Sequence, residues 1–138
     1  MYRELLQSCA AGFKSMKIQE PASEKEIARA EKTLGYRFPR ELRALLAELN
    51  GDKWLLFSVD EIIATWRDLS ELSEYYPGAD KRIYFAGNGC GDYYCYQADA
   101  DGAVREDAIY IWNHEDDQTC VVAGSMAEMI TRCYHDEI

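Results

Sequence analysis

The stretch Ile83-Tyr84-Phe85-Ala86-Gly87-Asn88-Gly89-Cys90-Gly91-Asp92-Tyr93-Tyr94-Cys95-Tyr96 constrains the fold of this chain more than any other. Aromatic and β-branched residues fit a half-buried pleated surface, so each flank reads as a strand. Between the flanks, glycines at 87, 89 and 91 open backbone conformations that other residues resist. The segment therefore reads as two strands joined by a tight turn. Glycine-rich loops after strands also cradle phosphates or present nucleophiles, but the chemistry here fits neither. A dinucleotide fingerprint needs a third glycine at Asp92 and then a helix. A nucleophile elbow centred on Cys90 needs glycines at Asn88 and Asp92, and again a helix after them. The run Tyr93-Tyr94-Cys95-Tyr96 is strand-like instead, so the hairpin reads as structural and function has to be sought away from catalysis.

The residues before it are mostly helical. Over 2–13, Leu5, Leu6, Cys9 and Phe13 share one helical stripe. Pro21 breaks the chain. Ser23 with Glu26 forms a capping box for a helix that turns Ile27, Ala30 and Leu34 inward and stops at Gly35. Pro39 suits a first helical position, followed by Leu42, Leu45, Leu46 and Leu49 at helical spacing and a stop at Asn50-Gly51. Residues 54–58 read as a strand. Ser58 and Glu61 cap a further helix carrying Ile62, Ile63, Trp66 and Leu69. Strands are expected at 82–86, 92–98, 108–113 and 119–123, and Ser125 with Glu128 starts a last helix with Met126, Met129, Ile130 and Cys133 on one face. Helices, then strands, then a closing helix predict an α+β fold, a mainly antiparallel sheet flanked by helices, with helices at both termini. At 138 residues the chain is the size of a single domain, 1–138.

Charge narrows the partners. The net charge is −10, and its distribution is uneven. Residues 1–51 hold nine Lys/Arg and seven Asp/Glu, whereas 52–138 hold six and eighteen. So acidic a surface repels nucleic-acid backbones and favours basic partners, and DNA or RNA binding is not expected. No apolar run approaches the ~20 residues that span a bilayer. The opening Met1-Tyr2-Arg3-Glu4 lacks the layout of a signal peptide, which makes the cytoplasm the expected location. Five cysteines without a CxxC pair fit reduced thiols.

Three ordered motifs resemble the SUKH superfamily, which includes fungal cell-wall-assembly regulators and bacterial immunity proteins. The first runs through Ile27, Glu31, Leu34-Gly35, Phe38-Pro39, Leu42, Leu45-Leu46 and Asn50-Gly51. The second is the glycine-rich hairpin from Ala86 to Tyr96. The third is Ile109-Tyr110-Ile111-Trp112-Asn113-His114-Glu115, then Val121-Val122-Ala123-Gly124-Ser125 into the last helix. Met126 stands where the superfamily often has an aromatic, and Cys90 where a small residue is commoner. The resemblance implies a non-enzymatic immunity protein that neutralises a cognate toxin by stoichiometric occlusion, without cofactor or metal. The partner it implies is a basic toxin domain such as a nuclease. The fungal relatives imply the alternative, a regulatory or scaffold module without a toxin. Monomer and homodimer both remain open, since the β-rich half has edge strands.

Candidate sites have competing readings. Cys90, Cys95, His114 and Cys120 evoke a zinc site, but Cys90 and Cys95 are spaced to face opposite sides of a strand. A Cys–His pair using His114 or His135 would need the base in reach of an activated thiol. Glu115, Asp116 and Asp117, with Asp99, Asp101, Glu106 and Asp107 on the neighbouring turn, are either solvated loops or a face that docks a basic partner by imitating a phosphate array. If their strands neighbour each other, both clusters are expected at one end of the pair. Tyr75 and Tyr76 are either interface anchors or a cap on the core. Trp54, Trp66 and Trp112 are expected to be buried, at least two of them. Arg37, Arg40 and Arg43 form either a solvated helix face or an anion site.

Overall fold

The computed structural model describes residues 1–11 and 15–138. Its α-helices are α1 (Tyr2–Cys9), α2 (Glu24–Leu34), α3 (Arg40–Glu48), α4 (Val59–Ser70) and α5 (Met126–Tyr134). Its strands are β1 (Arg82–Gly87), β2 (Tyr93–Gln97), β3 (Ile109–Asn113) and β4 (Gln118–Ala123). This is the expected α+β arrangement with helices at both ends of the chain. The expected Phe13 on the first helical stripe lies outside the described residues; Leu6 is buried and Cys9 is half-buried.

Local chemistry sets the helix ends. Ser23 and Ser58 each accept from the backbone N–H three residues on, and Glu26 and Glu61 reach back to complete both boxes. Gly35 takes φ +83°, the left-handed geometry that closes α2. Pro39 precedes α3 as its cap residue rather than its first helical one, with ψ 148°. Gly51 at φ +88° has no room for a side chain, because a Cβ would stand 2.8 Å from the Ser58 nitrogen. Beside it, Asn50 Oδ1 accepts from Val59 N–H at 2.8 Å and so caps α4. The Asn-Gly pair thus joins the end of α3 to the start of α4.

The sheet is an antiparallel meander in the order β1-β2-β3-β4. Alternation along the strands splits its residues between two cores. One face carries Ile83, Phe85, Tyr94, Tyr96 and Ile109 into the large core shared with the helices. The other carries Tyr84, Cys95 and Trp112 against Leu69 and Ala79, with Tyr76, Tyr93 and Tyr110 packed around them. Register shifts at Phe85, between Tyr84 and Ala86, and the Phe85 carbonyl accepts from Phe57 N–H at 2.9 Å. With Gly87 N–H bonded to the Leu55 carbonyl at 3.0 Å, the 55–57 segment covers the β1 edge. β4 is the other edge strand, where Val121 is 61% exposed and the Val122 carbonyl accepts from Arg132.

Residues 54–58 do not form the expected strand; only Leu56 bridges to Ala86. The cause is Asp52, which is fully buried. Its Oδ1 accepts from the N–H groups of Trp54, Leu55 and Leu56 at 2.9, 2.8 and 2.9 Å. Three successive donors aimed at one oxygen curl the chain, and Lys53 adopts φ +59° to allow it. The tryptophans also depart from expectation. Trp112 is 1% exposed, Trp66 is half-buried with its indole N–H on the Asp80 carbonyl, and Trp54 is 53% exposed.

Candidate protein-binding site

In a meander, successive turns leave from alternate ends of the sheet. The 98–108 connection between β2 and β3 and the 114–117 turn between β3 and β4 therefore emerge at opposite ends. This corrects the expectation that the two acidic clusters share one end. The strands do neighbour each other, which is what separates the turns.

The 98–108 acids mostly hold their own loop. Asp99 Oδ1 accepts from Asp101 and Ala103 N–H at 2.9 and 3.1 Å. Glu106 Oε1 accepts from Arg40 N–H at 2.6 Å and occupies the start of α3. Asp107 pairs with Arg105 at 3.5 Å. Asp101 is exposed. This end also carries a cleft of about 460 Å³ that includes Arg37, Arg40 and Arg43, so its charge is mixed. Arg43 lies 4.0 Å from Glu31, whose carboxylate accepts from Phe38 N–H at 2.7 Å.

The other end is built around the glycine hairpin. Asn88 Oδ1 accepts from Cys90 N–H at 2.8 Å, and Gly91 turns at φ +97°. Asp92 Oδ1 accepts from His114 N–H at 3.1 Å and lies 2.7 Å from His114 Nδ1, so the tautomer protonated there donates a second bond. Burial raises the Asp92 pKa, but the His114 and Asn88 hydrogen bonds outweigh it and hold the carboxyl below its ordinary value. The His114 ring lies over Gly91, where a Cβ would stand 3.0 Å from Nδ1. The pair locks the hairpin to the β3–β4 turn. No thiol is involved: Cys90 and Cys120 are exposed, and burial pushes the Cys95 thiol up to about 12, the reverse of an activated nucleophile. Among the described residues no three His, Cys, Asp or Glu gather as a metal site.

Within that turn the three acids differ. Asp117, at φ +54°, accepts from the Trp112 indole N–H at 2.7 Å and lies 3.9 Å from Arg82. It is a structural residue. Asp116 receives Gln118 N–H at 3.1 Å, and both Glu115 and Asp116 are exposed. Tyr76 packs edge-on against Trp112 with ring centroids 4.9 Å apart, while Tyr75 is 74% exposed. Trp112 therefore ties Tyr76 to the 115–117 turn through Asp117, and the 98–108 loop stays at the far end.

One feature of this end was not legible from the sequence. Glu61, Ala64, Thr65 and Asp68 make a solvent-facing stripe on α4, spaced by helical turns. Across from it stand Gly89, Gly91 and the half-buried rings of Phe57 and Tyr93, leaving a groove of about 370 Å³. The signal was present in the polar side of the helix, but the partner wall is assembled from Phe57 before the helix and from residues 87–93 after it.

An antiparallel meander packed against helices, with its hairpin hydrogen-bonded to the β3–β4 turn through Asp92 and His114, defines a domain of the α+β class. The chain belongs to the SMI1 / KNR4 family (SUKH-1), whose family model matches residues 21–132. The family is generally non-catalytic and points to protein–protein interaction. No curated protein matches the chain. No helix among the described residues is long and apolar enough to cross a membrane.

Proposed function

We propose that this protein is an immunity protein that acts in the cytoplasm by stoichiometric occlusion of a basic toxin domain, such as a nuclease. The observation that carries the reading is the locked end of the sheet, where Glu115 and Asp116 face solvent on the turn whose Asp117 holds Trp112, against which Tyr76, the neighbour of exposed Tyr75, packs. Those acids raise the association rate and select a basic partner, and Tyr75 supplies an aromatic anchor. Asp117 and Tyr76 hold the face in shape through Trp112. Asp99, Glu106 and Asp107 are left out of the face, since they lie at the far end, where Asp99 and Asp107 serve their own loop and Glu106 accepts from the start of α3.

The test uses toxin domains encoded by neighbouring genes, found by sequencing around this one. This chain and the cognate domain, both purified, should form a complex of fixed stoichiometry that abolishes toxin activity. Changing Glu115→Lys and Asp116→Lys together should slow association about tenfold at low salt and flatten its salt dependence. Circular dichroism should stay native, because neither side chain is buried. Unchanged association at low salt would remove the acidic face from the reading. A chain that fails to bind or protect against any neighbouring toxin leaves the regulatory role in its place.

A further inference from the structure

We propose that the groove between α4 and the glycine hairpin receives an arginine side chain of the protein partner; this rests on the binding role above and assigns it a specific subsite. The groove has the three attributes a guanidinium requires. Its aromatic lining is Trp54, Phe57 and Tyr93, the last two edge-to-face with centroids 5.8 Å apart, and arginine stacks on such rings. Its rim carries Glu61 and Asp68, seven residues apart along α4, which places them ~10 Å apart along the helix. None of the described residues that line it is cationic. Gly89 and Gly91 line its far wall, and a Cβ on Gly89 would meet nothing within 4 Å. Gly87 keeps it open at the base, where a Cβ would stand 3.1 Å from Phe57 and 3.2 Å from Tyr93. The volume of about 370 Å³ falls in the range of pockets that bind small groups.

Charge complementarity selects the occupant. An aliphatic side chain would leave the Glu61 and Asp68 carboxylates without a counter-charge, and an acidic one would be repelled. Lysine brings a compact, strongly hydrated point charge, whereas the planar guanidinium of arginine stacks on rings and pairs bidentately with a single carboxylate.

The experiment titrates the tripeptide acetyl-Gly-Arg-Gly-amide into the full isotope-labelled chain and follows amide chemical shifts. Saturable shifts should centre on Gly89, Gly91 and Asp68. The citrulline tripeptide, which keeps the shape and lacks the charge, should bind about tenfold more weakly. Asp68→Asn should weaken the arginine peptide about threefold, and Ala64→Arg, on the exposed stripe, should abolish the shifts by filling the groove internally. Equal binding of citrulline or lysine peptides, shifts elsewhere on the acidic surface, or no saturation would each overturn the assignment. Because the readout needs no toxin, such a failure is distinct from loss of toxin neutralisation, which reports on the binding role as a whole.

Discussion

Replacing Asp52 tests the central support of this structure. Its Oδ1 is the shared acceptor for three backbone N–H groups, and those of Leu55 and Leu56 are buried. The segment it organises covers the β1 edge and delivers Phe57 to the groove. In Asp52→Ala the two buried donors lose their acceptor, at ~1–3 kcal/mol each, offset in part by the desolvation cost of the buried carboxylate that also disappears. A net loss of about 2–4 kcal/mol is expected, a large share of the ~5–15 kcal/mol available to a protein of this size. With a urea slope of ~1–3 kcal/mol/M, the midpoint should fall by about 1–2 M. Asp52→Asn keeps the acceptor oxygen and should lose under ~1 kcal/mol. The pH dependence carries a sign of its own. Burial raises the Asp52 pKa above its ordinary 3.8 despite the three N–H donors, so the folded state holds this proton more tightly than the unfolded chain. That contribution is complete below about 3.8 and is lost as pH rises through the raised folded value. The stability of Asp52→Asn relative to the parent chain should therefore improve from acid toward neutral pH, other carboxylates cancelling in the difference. A midpoint shift for Asp52→Ala below ~0.3 M, or an Asn variant as damaged as the Ala variant, would refute the reasoning.

Ser125→Ala removes the oxygen that accepts from Glu128 N–H at 3.2 Å and should lower stability by ~1 kcal/mol in chemical denaturation. Gly91→Ala forces a side chain into φ +97° and against the His114 ring, so a loss of ~1–3 kcal/mol is expected, with His114→Ala relieving part of it in a double-mutant cycle. Asp92 titrates below its ordinary value, so its contribution is present above the unfolded pKa and is lost as pH falls through the folded one. Asp92→Asn should accordingly flatten the acid limb of the stability profile measured by thermal melts.

The helical framework was legible because local chemistry dictates it. The boxes at Ser23 and Ser58 and the left-handed Gly35 sit where spacing placed them. The β-hairpin and its glycines were legible for the same reason, since positive φ at Gly89 and Gly91 is a local requirement. Failure came where a distant or buried partner decides. Residues 54–58 have strand propensity, yet three hydrogen bonds to one buried carboxylate outweigh it. Trp54 has the alternation of a core residue, but the curl turns it to 53% exposure.

For the site, the limit of sequence reading is geometric. A list of acids has no sense of direction, and Asp117 shows the consequence. It stands beside Glu115 and Asp116 in a run of like charge, yet its carboxylate turns inward to the indole N–H of Trp112 while its neighbours face water. Reversing Asp117 would remove that acceptor from a Trp112 that is 1% exposed, so it reports on folding. Reversing Glu115 and Asp116 reports on partner steering. Had both acidic loops emerged at one end, their charges would have summed into one field. The meander instead sends them to opposite ends, where the arginines of the 37–43 segment dilute one cluster. The other, on the turn that the Asp92–His114 pair ties to the hairpin, stays acidic, and the hairpin borders a groove with no cation among its described lining residues. Strand order, which no residue-by-residue reading reveals, thus decides which acids are able to meet a basic partner together.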